Sequence, residues 1–138
     1  MSQLRDYLNK SREKIEKQEN SRITSSFKED FEYYVQNLFL NKLKKLEEFE
    51  EITIFERNSN SSVEPFSIEL EMTVNIEGSV AQYYIELSSN SHVFPTGFFF
   101  ELESAGYQSK LDKKKIKFLE IENLNIDTFI ANQLKEFN

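Results

Sequence analysis

The sequence predicts an α+β fold: two N-terminal helices, a five-stranded, mainly antiparallel sheet and a short C-terminal helix. Three patterns carry this expectation. Apolar residues recur at helical spacing from Phe27 to Phe49, apolar and polar residues alternate without an error from Phe66 to Glu77, and helical spacing returns from Ile126 to Phe137. At 138 residues the chain has the size of one ordinary domain and can bury a core without disulfides or metal. Residues 1–138 are therefore expected to form a single domain.

The elements follow in order. Leu4, Tyr7, Leu8, Ser11 and Ile15 lie at helical spacing among charged and amide residues, so 1–22 reads as a loosely packed helix with a thin apolar stripe. Ser26-Phe27-Lys28-Glu29 has the form of a capping box. Behind it Phe27, Phe31, Tyr34, Val35, Leu38, Leu46 and Phe49 mark one face of a second helix, widened by Phe39, Leu40 and Leu43. Residues 51–56 form a short first strand, and the polar run 58–62 has loop composition.

In the second strand Phe66, Ile68, Leu70, Met72, Val74 and Ile76 point one way, and Ser67, Glu69, Glu71, Thr73, Asn75 and Glu77 the other. Gly78-Ser79 is a two-residue hairpin loop in this reading, which sets Glu77 against Val80, Met72 against Ile85 and Leu70 against Leu87. A one-residue slip would destroy that agreement of apolar sides. The same register sets Glu71 opposite Glu86, two like charges about 5 Å apart that repel by roughly 0.8 kcal/mol in water. Phe98, Phe100 and Leu102 alternate with Phe99, Glu101 and Glu103 in a further strand. Residues 116–121 read as a fifth strand with a bulge, and Asn125 or Asp127 caps the last helix.

Charge is distributed unevenly along this frame. Residues 1–57 carry 12 acids against 11 bases, and residues 110–138 carry 5 against 6. Between Asn58 and Ser109 there is no Lys or Arg, yet there are seven carboxylates: Glu64, Glu69, Glu71, Glu77, Glu86, Glu101 and Glu103. The middle of the chain thus holds the net charge of −7. The strand pattern puts all of these but Glu64 on one sheet face, with Tyr84 and Phe99 among them.

Several chemistries are excluded or weakened. Absence of cysteine removes disulfides, thiolate metal sites and Cys nucleophiles, and fits a reducing cytoplasm. A single histidine, His92, leaves a typical zinc site almost without ligands. Glutamates standing off flat strands rarely converge as calcium requires, and a glycosidase-like carboxylate pair needs a cleft that sequence does not show. His92 lies near Ser88, Ser89 and Ser91 in a loop, but a triad is a geometry and proximity in sequence is not one. Phosphate-cradling glycine motifs are absent. No stretch approaches the roughly 20 apolar residues of a membrane span, and the first twenty residues lack a continuous apolar stretch of the signal-peptide kind. An intracellular, cytoplasmic protein is expected.

These readings converge on a small acidic, non-enzymatic protein-binding module with no cofactor and no metal. Glu69, Glu71, Glu77, Tyr84, Glu86, Phe99, Glu101 and Glu103 would face a basic protein surface, since such a field attracts basic partners and aromatics anchor interfaces. An inhibitor or adaptor fits, including a nucleic-acid mimic, and the wealth of Asn, Lys, Ile and Phe suits a bacterial or phage source. The bland reading of the same face is a solvated surface that keeps the protein soluble. The alternative function is a carrier of a small apolar ligand between the second helix and the sheet. Lys110, Lys113, Lys114, Lys115 and Lys117 form the one basic run, read as an edge-strand guard attracted to the acidic face of the same or a second copy; direct nucleic-acid binding is not expected and a homo-oligomer is left open.

Overall fold

The computed structural model describes residues 27–106 and 109–137. The helix expected over 1–22 and Ser26 of the capping box lie outside them. The fold combines helices with an antiparallel sheet, as the sequence predicts, but the sheet has six strands rather than five and the helices are placed differently, one of them following the last strand where the sequence pattern put strand residues. In chain order the elements are α1 (27–48), β1 (Ile52–Asn60), β2 (Phe66–Ile76), β3 (Ser79–Ser89), β4 (Gly97–Ser104), β5 (Ser109–Lys110), β6 (Lys114–Lys117), the 3₁₀ helix α2 (Phe118–Asn123) and α3 (Ile126–Lys135).

Helix α1 buries Phe27, Phe31, Val35, Phe39 and Leu43, a strict four-residue repeat. In an α-helix four residues overshoot one turn by about 40°, so such a stripe would wind around the cylinder. Here Phe31–Phe39 is wound as a wider π-helix, in which Asn37 donates its side-chain amide to the Glu32 carbonyl five residues back at 2.9 Å. The wider turns offset the overshoot and keep the stripe aimed at the sheet. Leu46 closes it, and Phe49 lies beyond the helix end, 48% exposed, where the sequence pattern placed it on the buried face.

The stripe meets a floor of aromatic rings. Phe31 lies 5.3 Å from Phe66, Phe39 packs edge-on against Phe98 at 5.0 Å, and Tyr34 stacks on Phe118 at 5.4 Å. Phe129 of α3 covers Phe100 from the same side at 4.9 Å. Lys42 joins the helices by donating to the carbonyls of Glu122 and Leu124 at 3.1 and 2.8 Å. Burying each such Phe contributes about 1.5–3 kcal/mol, so this layer holds the fold together.

Strands β1 to β4 form a meander, and both β5 and β6 pair with β4. The β2–β3 hairpin differs from the expected register. Its turn is Glu77-Gly78, closed by Ile76 and Ser79, so Met72 faces Tyr83, Leu70 faces Ile85 and Ile68 faces Leu87. Relative to the expectation β3 is shifted by two residues, which preserves every side chain's face; alternation alone cannot tell such registers apart. Turn geometry decides: Glu77 (φ 51°) and Gly78 (φ 90°) are both left-handed, as a type I′ hairpin turn requires, and the Gly78 N–H donates to Asn75 Oδ1 at 2.9 Å.

Two further elements depart from the sequence pattern. The polar residues Asn58, Ser59 and Asn60 belong to β1 rather than to a loop, because they pair through their backbones with Glu69, Ile68 and Ser67. Residues 116–121 are not one bulged strand. Ile116 and Phe118 are buried at strand spacing and Ile121 at a three-residue step, the period of the 3₁₀ helix that follows β6. Asn125 caps α3 by accepting the Thr128 N–H at 3.1 Å.

Both sheet edges are guarded. On β1 the outward N–H of Ile52 donates to the Phe49 carbonyl at 3.0 Å, and that of Ile54 to the Glu47 carboxylate at 2.9 Å. The outer side of β4 is taken by β6 and β5, joined by a Leu111 N–H to Leu102 carbonyl bond of 2.9 Å. Where β6 meets β4, Gly97 leaves no room for a Cβ, which would run into the Ile116 carbonyl and the Phe94 ring. Gly97→Ala is accordingly expected to cost about 1–3 kcal/mol in denaturant unfolding. Glu77→Asn should instead stabilise the hairpin by about 0.5–1 kcal/mol, because Asn tolerates the left-handed conformation better than Glu. Unchanged unfolding midpoints for both variants would contradict these assignments.

Candidate functional site

The face of the sheet opposite the helices is organised in rows across the strands. Glu69, Glu86 and Glu101 are directly opposed neighbours on β2, β3 and β4, with Asn58 of β1 at one end. In the next row Phe55, Glu71, Tyr84, Glu103 and Lys110 follow one another from β1 to β5. Ser67, Ser88, Phe99 and Lys115 make a third. Adjacent strands lie about 4.8 Å apart, so the carboxylate file is a compact line of like charges.

Seven of the eight sequence-predicted residues share this face. Glu77 does not, because it occupies the left-handed hairpin turn and is exposed there. The expected Glu71–Glu86 pair is replaced by two like-charge contacts, Glu69–Glu86 and Glu86–Glu101, as the two-residue register shift requires. Glu64 acts elsewhere, for its carboxylate accepts the backbone N–H and the hydroxyl of Ser91 at 2.6 and 2.9 Å and so pins the β3–β4 connection.

Neither aromatic anchor is bare. Tyr84 is half-buried beneath the Arg57 guanidinium, 5.0 Å from the ring centre. Phe99 lies beneath the Lys113 ammonium at 5.8 Å and beside Phe94 at 5.7 Å, and Lys115 covers Phe94 at 5.5 Å. Lys110 approaches Glu101 to 3.9 Å. Four cations therefore border the face: Arg57 from β1 over Tyr84, Lys110 beside Glu101, and Lys113 and Lys115 over the Phe99 and Phe94 rings. Sequence reasoning named the three lysines but not Arg57. The signal that could have found it was the boundary of the base-free stretch itself, since Arg57 and Lys110 are the residues that delimit it. Arg57 sits where the β1–β2 register breaks, between the pairs Glu56–Leu70 and Asn58–Glu69, and that bulge directs its side chain across the face.

Between these cations lies a depression of about 440 Å³ lined by Arg57, Glu69, Tyr84, Glu86, Glu101, Glu103 and Lys110. Glu101 is its most enclosed ion-paired carboxylate, with 17% of the side chain exposed. Partial burial raises the pKa of Glu86; the neighbouring Glu101 charge adds to this, Lys113 partly offsets it, and a hydrogen bond with Glu101 and the charge of Glu69 push it up further. Glu71 is bonded to the Gln82 side-chain amide.

His92 is exposed, its backbone N–H held by Asn90 Oδ1 at 2.9 Å, while Ser91 is held by Glu64 and Ser89 is buried in the inner face. Among the described residues no three His, Cys, Asp or Glu side chains are placed to hold a metal ion, and no helix is long and apolar enough to cross a membrane. The chain matches no protein-family model, and comparison with curated proteins and with solved structures finds no match.

The proton balance at Glu86 has a measurable sign. A carboxyl whose pKa is raised by folding binds protons more readily in the folded state, so its ionisation works against folding above 4.5, the ordinary value for a glutamate. In the contribution of this group, stability should therefore be greatest below 4.5 and fall as pH rises from there through the raised folded-state value. Glu86→Gln should stabilise the protein at neutral pH by roughly 0.5–1 kcal/mol, a figure kept small by solvent screening, and flatten that part of the pH profile. A lower melting temperature for Glu86→Gln at neutral pH would refute the account.

Proposed function

We propose that the chain is a small non-enzymatic protein-binding module, of inhibitor or adaptor type, whose outer sheet face receives a basic surface of another protein. The observation that carries this is the Glu69–Glu86–Glu101 file, three carboxylates opposed on the central strands. Among the described residues Glu69 and Glu86 have no ion-pair partner, and Lys110 reaches only Glu101. A row of like charges costs folding energy, and a partner's cation placed over it would remove that repulsion. Electrostatic complementarity of this kind speeds encounter and selects partners. The cations interleaved on the face favour a protein partner over nucleic-acid mimicry, because a phosphate backbone carries charge of one sign only.

Nothing specific favours the apolar-carrier reading: Phe31, Phe39, Phe66, Phe98 and Phe100 fill the space between α1 and the sheet with fully buried rings. Affinity capture of partners at low and at physiological ionic strength tests the basic-partner reading. The wild type should retain a basic protein in a salt-sensitive manner, and replacing Glu69, Glu86 and Glu101 together by Gln should weaken its binding about tenfold or more. Retention of the same partner, unaffected by salt and by the triple substitution, would overturn the proposal.

A further inference from the structure

We infer that Arg57 is an internal stand-in for an arginine of the partner, and that docking brings a partner guanidinium onto the Tyr84 ring and the adjacent carboxylates in its place. This rests on the basic-partner reading above and specifies the residue recognised. The structure already displays the chemistry: a guanidinium 5.0 Å over Tyr84, in a depression where four carboxylates, Glu69, Glu86, Glu101 and Glu103, meet two cations, Arg57 and Lys110. The carboxylates outnumber the cations by two, so an incoming guanidinium fits the charge of the site.

Arg57 is placed to yield. It is exposed, it lies in the edge strand, and it stands at the register break, without an opposed residue on β2. Its side chain can leave Tyr84 without breaking a paired position of the sheet. Guanidinium suits the vacated space better than ammonium for two reasons. It is planar and lies flat on an aromatic ring, and its fixed fork of donors can bridge carboxylates on neighbouring strands about 4.8 Å apart. The lysines of the same face lie farther from their rings, at 5.8 and 5.5 Å.

The test is a titration of isotopically labelled protein, followed by NMR shifts at Tyr84 and Glu86, with a short peptide alternating glycine and arginine and with its lysine counterpart. Arg57→Gln removes the internal competitor and one repelling charge, so the arginine peptide should bind about two- to fivefold tighter than to the wild type, and the lysine peptide should gain less. Tyr84→Leu, checked for an unchanged thermal transition, should weaken the arginine peptide. Unchanged or weaker binding to Arg57→Gln, or an equal gain for both peptides, overturns the inference while salt-sensitive binding to the wild type leaves the basic-partner reading standing. If neither peptide binds the wild type, both fall.

Discussion

Burial of one side of the sheet beneath α1 is the constraint on which the rest of the molecule depends. Phe66, Ile68, Leu70 and Met72 on β2, Ile85 and Leu87 on β3, and Phe98, Phe100 and Leu102 on β4 are all buried against that helix layer. Since strand side chains alternate, sealing these residues inside leaves Glu69, Glu71, Glu86, Glu101 and Glu103 nowhere to go but the opposite face. The acidic surface is thus a by-product of core packing, enforced with the strength of an aromatic core. Its internal repulsion is small beside the several kcal/mol that a slipped register would forfeit.

That margin explains how the protein tolerates three opposed glutamates. Partial relief comes from cations supplied by both sheet edges, and the strain that remains shows as the raised pKa of Glu86, which burial and then the Glu101 charge produce. The relief is uneven. The Lys110–Glu101 pair is long at 3.9 Å and its ammonium is exposed, so it contributes little, and the Arg57 guanidinium lies over the Tyr84 ring at 5.0 Å rather than in a short ion pair with a glutamate of the file. Charge that is segregated along the chain becomes interleaved in space, and in the depression between Arg57 and Lys110 four carboxylates face two cations.

The edges carry the features that discourage strand pairing between copies. Glu47 and the Phe49 carbonyl take the outward donors of β1, the Arg57 bulge interrupts its register, and the lysine-bearing β5–β6 segment occupies the side of β4. These guards leave the face of the sheet, rather than its edges, as the open surface of the strands. In the lysine run, guarding the edge and supplying charge to the face are done by the same residues, Lys110 and Lys115.

Alternation by itself determined which residues of β2, β3 and β4 share the acidic face, and four-residue spacing determined the buried stripe of α1, because these are short-range periodicities that a linear chain displays directly. Only the tertiary structure decided which carboxylates oppose one another. Registers two residues apart keep the same faces, so the choice fell to the left-handed turn at Glu77-Gly78, and with it Glu77 left the site. The length of β1 depended likewise on backbone pairing of polar residues 58–60, and the six-strand count on the split of 109–117 along β4, neither of which needs an apolar pattern. Arg57 was hidden for a related reason: a bulge in one strand carries its side chain over a ring two strands away, and no local spacing in a sequence encodes that reach.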